Sequence, residues 1–270
     1  MTNYVVQFSG GLGSFAAAHW VKQNRPGNVT LLFCDTRTED EDLYRFLIDT
    51  SRFLELPLTT IADGRNVWEI LKWKRFIGNS RVDPCSRILK RELSKAWVDA
   101  NFGSGNCTLV FGIDWTESHR VSNVHSYWRG YSCLFPLVDE WRYDKHEFAK
   151  YVESIGIKLP RLYSMGFPHN NCGGFCIKAG KAHFLRLLEK LPERYRYHEQ
   201  REAEMQDLLG KPYTILREQV GGVKRYISLR ELRQRAEEIS ATEDGQLDWG
   251  GCGCFNDIGS DEIFSIEEER

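Results

Sequence analysis

The chain has no run of roughly eighteen or more apolar residues, which excludes a hydrophobic membrane-spanning helix. Its first residues, MTNYVVQFSGG, lack a basic segment followed by an apolar stretch, so no secretory signal is read there. The expected location is therefore the cytoplasm, with no membrane partner. Charge of one sign is also lacking. Lys and Arg total 36 and Asp and Glu 38, so a net charge of −2 gives no global field that draws the chain to nucleic acid or lipid. There is no internal repeat and no long low-complexity linker. What remains is ordinary for a protein that buries a core: 41% hydrophobic and 27% charged residues. A length of 270 residues accommodates one large α/β domain, or one with an appendage.

Cysteine is plentiful, with eight in all. In a reducing compartment, clustered cysteines suggest metal or redox chemistry rather than disulfides. Cys34, Cys85, Cys107 and Cys133 are scattered, while Cys172 pairs with Cys176 and Cys252 with Cys254. Thiolates spaced CxxxC and CxC can converge on one soft metal ion or an iron–sulfur cluster. Gly173, Gly174, Gly250, Gly251 and Gly253 permit the tight turns this needs. Two other readings stay open: buried small hydrophobes, or a redox-active dithiol.

The hydrophobic pattern alternates strands and helices through the first half. YVVQF (4–8), VTLLFC (29–34), LTTIAD (58–63) and CTLVFGI (107–113) read as buried strands. Helices are expected from Ser14, across TEDEDLYRFLIDTSRFLEL with its acidic first turn, and over 86–98 after Pro84. This alternation implies βαβ units and a doubly wound, mostly parallel sheet. From Asp144 helices dominate, at about 144–155, 178–190 and 193–208. The expected division is an α/β domain over 1–140, a helical cysteine-containing region over 141–258 and an acidic tail over 259–270.

Between the first strand and helix lies SGGLGS, residues 9–14. Backbone N–H groups at a glycine-rich turn and a helix start form an anion cradle, and glycine lets phosphate approach the main chain. A plain βα turn is the other reading. The loop lacks the Gly-Lys-Ser/Thr ending of a Walker loop and the spacing of a dinucleotide fingerprint. It does resemble the PP-loop, SGGxDS, through Ser9, Gly10, Gly11 and Ser14. Leu12 stands where lysine is common, and Gly13 replaces the usual acidic residue. Three later segments resemble the same ATP-pyrophosphatase superfamily, in the branch containing phosphoadenylyl-sulfate (PAPS) reductase. GIDWTESHR (112–120) resembles its GxRxxES element, with Asp114 in the arginine position. Residues 136–167 resemble its PL…W…LY..G segment, and NNCGGFC (170–176) follows where paired cysteines occur. The likeness spans about residues 1–180.

The resemblance implies a Rossmann-like fold and an adenine nucleotide, ATP or PAPS, with Mg²⁺ on the phosphates. It implies a binding set of Ser9, Gly10, Gly11, Gly13, Ser14, Asp35, Gly112 and Ser118, and a catalytic set of Asp114, Glu117 and Arg120. Asp35 ends a strand, where α/β folds bind ligands, and also reads as a helix cap. DPCSRILKRELSKAW resembles the first cluster segment of iron–sulfur reductases. This implies a [4Fe–4S] cluster on Cys85, Cys172, Cys176 and one of Cys252 or Cys254, with Zn²⁺ on the two late pairs as the alternative. The leading expectation is adenylation of an acceptor, a nucleobase, nucleic acid or small molecule, with pyrophosphate release and displacement by a sulfur or nitrogen nucleophile. Rivals are sulfonucleotide reduction, against which Asp114 argues, and a non-catalytic nucleotide sensor. An oligomer is compatible with all three. Arg87, Lys90, Arg91 and Lys95 read as anion contacts or a solvated face. Trp73 reads as a stacking platform or core residue, and His169 as a ligand, an acid/base group or a structural histidine.

Overall fold

The structure, a computed structural model, describes residues 1–78, 82–142 and 144–236. Five strands form one all-parallel sheet: β1 (Thr2–Gln7), β2 (Gly27–Asp35), β3 (Leu58–Ala62), β4 (Thr108–Val110) and β5 (Ser132–Leu134). Their spatial order is β3-β2-β1-β4-β5. The chain winds outward from β1 to β3 and then returns to the other side of β1 with β4. The crevice outside the ends of β1 and β4 is thus the switch point where such sheets bind ligands. The register fixes that crevice, with Val6 beside Val110 and Gln7 beside Leu32.

Helices α1 (Leu12–Asn24), α2 (Glu41–Leu54) and α8 (Lys145–Ser154) cover one sheet face, with Phe15, Ala16, Ala17, Leu43, Phe46 and Phe148 in a common cluster. The alanines of α1 leave no side-chain bulk between helix and sheet, so the loop before α1 sits close to the strand ends. On the opposite face α5 (Leu93–Asn101) and α6 (Val121–Tyr127) bury Val98, Val124 and Trp128 against Leu32 and Leu109. A third cluster joins α3 (Val67–Trp73) to α10 (Lys181–Lys190), α11 (Pro192–Leu209), the antiparallel pair β6 (Leu216–Val220) and β7 (Val223–Ile227), and α12 (Leu229–Gln234). Glu202 on α11 pins that hairpin by accepting the backbone N–H groups of Ile215 and Leu229. Two of the three clusters therefore draw residues from both sides of residue 140.

The helix expected over 86–98 is longer and irregular. It begins with Pro84 in α4 (Pro84–Ser86), passes through a π-helical stretch at Arg87–Glu92, and continues as α5. The extra residue per turn shifts the phase of the helix. Arg91, which an ideal helix would place with Arg87 and Lys95 on an outer face, is instead buried, as is Lys90. Short elements with weak periodicity escaped the sequence pattern, namely α3, α6, β5 and the β6–β7 hairpin. The expected acidic tail and the Cys252–Cys254 pair lie outside the described residues. Among the described residues no helix is long and apolar enough to cross a membrane.

Candidate functional site

Two cavities meet at Lys90. The larger, of about 420 Å³, opens at the switch point. Its floor is the 9–14 loop and its wall the segment after β4. Gly11 is the N-cap of α1, so the N–H groups of Gly13 and Ser14 lie in the first turn and have no intrahelical partner. Ser14 Oγ donates to Gly11 O (2.9 Å) and Ser9 Oγ to Ser14 Oγ (3.3 Å), which closes the loop on itself. Gly10 needs its φ of 76°. Gly112 is required by contact: a Cβ there would lie 2.5 Å from the carbonyl carbon of Gly13 and 2.6 Å from the nitrogen of Ser14. The post-β4 segment is thus laid directly on the loop backbone.

Asp114, Glu117 and Arg120 all line this cavity. Asp114 caps the short 3₁₀ turn Trp115–Arg120, with Oδ1 accepting from the backbone N–H of Thr116 at 2.7 Å. Arg120 pairs with Glu117 at 2.6 Å. Ser118 is exposed and outside the lining. Asp35 is also outside it; its carboxylate accepts from the backbone N–H of Arg37 and the Tyr44 hydroxyl, both at 2.9 Å, and so shapes the β2–α2 turn. Of the expected binding set, Ser9, Gly11, Gly13, Ser14 and Gly112 share the cavity, and Gly10 supports it from behind.

Several lining residues carried little sequence signal. Lys145, exposed at the cavity mouth, is desolvated enough there to lower its pKa, and Nζ donates to Pro168 O at 3.1 Å. Burial, with Lys145 nearby, pushes His169 down to about 4, so its imidazole is neutral at physiological pH. Asn170 is buried and donates from Nδ2 to Gly10 O (2.9 Å), while its Oδ1 has no hydrogen-bond partner among the described residues. Gln7 is the counterpart at the end of β1: Oε1 accepts from Ser94, and among the described residues Nε2 has no partner. Two buried amides with one orphaned end each cost free energy here, as expected of groups that await a ligand. Only the NN preceding the cysteine pair offered a clue to Asn170.

The smaller cavity, of about 30 Å³, is lined by Cys85, Cys172 and Cys176 together with Asp83, Phe175, Lys90 and Lys178. Three cysteines from segments far apart in sequence therefore face one space. Cys172 holds a left-handed φ of 50°, and its N–H donates to Glu39 Oε2. Glu39 in turn lies 3.7 Å from Lys90 Nζ. Among the described residues no three His, Cys, Asp or Glu side chains are grouped tightly enough to hold a metal. Cys252 and Cys254, the other members of the expected metal-binding set, lie outside the described residues. Cys34 and Cys107 are buried and Cys133 half-buried in or beside strands, where burial raises their pKa values, as inert thiols do.

Asp40, fully buried, ties both cavities to the start of α2. It accepts from Arg161 Nε (2.9 Å) and Arg194 Nη1 (2.8 Å), and Arg194 also donates to Gly173 O (2.7 Å). Burial alone would raise the Asp40 pKa, but these two arginines hold it below the usual carboxylate range. Trp73 is exposed at the far end of α3, with the Arg65 guanidinium 4.7 Å and the Lys74 ammonium 3.9 Å from its ring, and lines neither cavity.

No protein-family model matches the chain, and no curated protein matches it. Solved structures do. PAPS reductase from Candida auris, in a phosphate complex, is 16% identical over 60% of this chain and 78% of that one, with a TM-score of 0.40. NMN synthetase from Francisella tularensis is 14% identical over 88% and 85%, with a TM-score of 0.41. NH3-dependent NAD synthetase from Campylobacter jejuni is 16% identical over 77% and 84%, with a TM-score of 0.39. The likeness to these structures is one of α/β fold.

Proposed function

We propose that the chain is a nucleotide-dependent enzyme that holds the phosphates of an adenine nucleotide on the 9–14 loop. The reaction we assign is transfer of the adenylyl group to an acceptor, with release of pyrophosphate. The observation that carries this reading is the switch-point cavity itself. Loop backbone, Arg120, Lys145 and Lys90 surround a space large enough for a small-molecule ligand, and Gly112 fits it only because nothing larger can touch Gly13. The first-turn N–H groups of Gly13 and Ser14 would donate to the oxygens of the departing pyrophosphate, and the helix dipole favours that charge. The adenine base rests on the sequence resemblance.

Asp114 and Glu117 are the carboxylates in reach of a Mg²⁺ that arrives with the phosphates, and two carboxylates plus phosphate oxygens suit that ion. Cys85, Cys172 and Cys176, completed by Cys252 or Cys254, are the donors for a soft metal ion or iron–sulfur cluster, which would supply an electrophile or electron store beside the loop cavity. Lys90 lines both cavities, so its ammonium serves the thiolates and the phosphate together. The test is incubation of anaerobically purified protein with ATP and Mg²⁺, or with PAPS. Pyrophosphate formation supports the proposal. Sulfite formation from PAPS, with no pyrophosphate from ATP, overturns it.

A further inference from the structure

The first N–H of α1 is already taken: Leu12 N–H donates to the hydroxyl of Tyr163 at 3.3 Å. A tyrosine hydroxyl both accepts and donates. Its acceptor side is engaged by the helix start, and among the described residues nothing accepts its own proton. The hydroxyl lines the loop cavity beside Ser9, Gly11 and Gly13. We infer that Tyr163 is a phosphate-binding residue that donates its hydroxyl proton to an oxygen of the group held on the 9–14 loop. This rests on the reading of that loop as a phosphate site.

Three observations support it independently of the helix start. First, Tyr163 is placed with little freedom. It lies on α9 (Arg161–Ser164), where Arg161 Nε and Nη2 both bond the buried Asp40 carboxylate at 2.9 Å and the Arg161 N–H bonds Asp42 at 2.8 Å. A donor fixed before the ligand arrives loses little entropy on binding. Second, the loop is shaped around the hydroxyl. A Cβ on Gly11 would sit 3.3 Å from it, tighter than ordinary contact. Third, the same cavity is lined by Lys90, Arg120 and Lys145, cations that draw a phosphate to the loop. Burial pushes the Tyr163 pKa up to about 12, so the proton is present at any working pH.

The arrangement is a relay. Leu12 N–H polarises the hydroxyl, which passes the donor character of the helix start to a phosphate oxygen one residue further out. Gly13 N–H, Ser14 N–H and Tyr163 O–H then offer three donors, which the three unsubstituted oxygens of a terminal phosphate or of one pyrophosphate phosphorus can each meet, whereas a phosphodiester presents only two such oxygens.

Calorimetric titration of inorganic pyrophosphate into the full chain tests this. We expect wild-type protein to bind and Tyr163→Phe to melt unchanged while binding about tenfold more weakly, the loss of one charge-assisted hydrogen bond. Unchanged or tighter binding by a folded Tyr163→Phe overturns the inference. Should that variant fail to fold, Gly11→Ala presses on the hydroxyl while leaving the ring in place. It should weaken binding several-fold, and unaltered affinity there overturns the inference equally. No binding by the wild type would instead remove the phosphate-loop reading itself.

Discussion

The loop cavity and the cysteine cavity share Lys90 as a wall but are built in opposite ways. The first is wide and polar, made of main chain at strand ends and closed by glycines that admit no side chain. The second is narrow and is made of side chains brought from residues 83–90 and 172–178 by helix packing. The difference teaches where each should fail. Backbone sites break when a Cβ is added, because neighbouring backbone cannot yield. Side-chain sites break when a donor is removed and survive changes around it.

The largest expected effect follows from Gly112→Ala. Its Cβ would meet the backbone of Gly13 and Ser14 at 2.5–2.6 Å, so the loop or the post-β4 segment must move. Overpacking of this kind costs about 1–3 kcal/mol or more. We expect a lowered melting temperature together with loss of pyrophosphate binding. Gly11→Val should lose binding with a smaller loss of stability, because its Cβ meets the Tyr163 hydroxyl at 3.3 Å and the Ser9 side chain at 3.7 Å rather than backbone. If Gly112→Ala melted and bound like wild type, the close approach that defines the loop cavity would be refuted.

Next in size is Cys172→Ser. Bound metal, measured by elemental analysis of anaerobically purified protein, should disappear. Melting should fall with it, because metal binding is coupled to folding. Pyrophosphate binding should persist, since the loop cavity does not contain Cys172. Cys85→Ser separates the arrangements: loss of metal favours a set that includes Cys85, and retention favours the two late pairs. Full metal occupancy in Cys172→Ser would leave the cysteine cavity without its proposed role.

The loop cavity was the more legible of the two, and the reason is local. SGGLGS and GIDWTESHR each place their chemistry within a few residues, and strand periodicity sets both at the ends of the internal strands β1 and β4. Lys90 shows the opposite case. In sequence it reads with Arg87, Arg91 and Lys95 as a solvated face, and the π-helical stretch at Arg87–Glu92 changes the phase of that face and leaves Lys90 and Arg91 buried. Phase shifts of this kind come from tertiary packing and leave no mark in composition. Asn170, Lys145 and Gln7 were missed because single polar residues carry no pattern. Their meaning lies in partners 160 residues distant for Asn170 and 87 for Gln7. Asp35 read well as a strand-end residue, yet its carboxylate is spent on Tyr44 and Arg37.

A smaller effect should appear with pH. His198 stacks on Phe175, a wall of the cysteine cavity, at 3.8 Å between ring centroids, and its Nδ1 accepts from Trp68 Nε1 at 2.9 Å. Burial, with Arg194 nearby, lowers its pKa to about 3 from 6.5. The folded value is depressed, so the stabilising neutral form is fully present above 6.5 and stability is lost as pH falls from there towards 3. The loss is at most about 1.4 kcal/mol per pH unit for one group. His169 in the loop cavity has the same sign with a lower limit near 4. Melting between pH 7 and pH 4 should therefore fall less steeply in His198→Gln than in wild type, and less steeply in His169→Gln as well. Parallel curves for all three proteins would show that neither histidine is held neutral.

The smallest effect is expected at Asp114, where two roles compete. Its carboxylate caps the Trp115–Arg120 turn through Thr116, and it faces the loop cavity. Asparagine caps nearly as well as aspartate, so Asp114→Asn should leave melting unchanged within about 0.5 kcal/mol and isolate the charge. Without Mg²⁺, the carboxylate repels phosphate across the cavity, and its removal should tighten pyrophosphate binding by about 1 kcal/mol or less at that exposure. With Mg²⁺, the same carboxylate attracts the ion that the phosphates carry, and its removal should weaken binding. The sign of the change should therefore reverse between the two titrations. A change of one sign in both would take Asp114 out of metal binding and leave it a cap, so that the loop cavity would rely on Glu117 and its phosphate ligand alone to hold the cation.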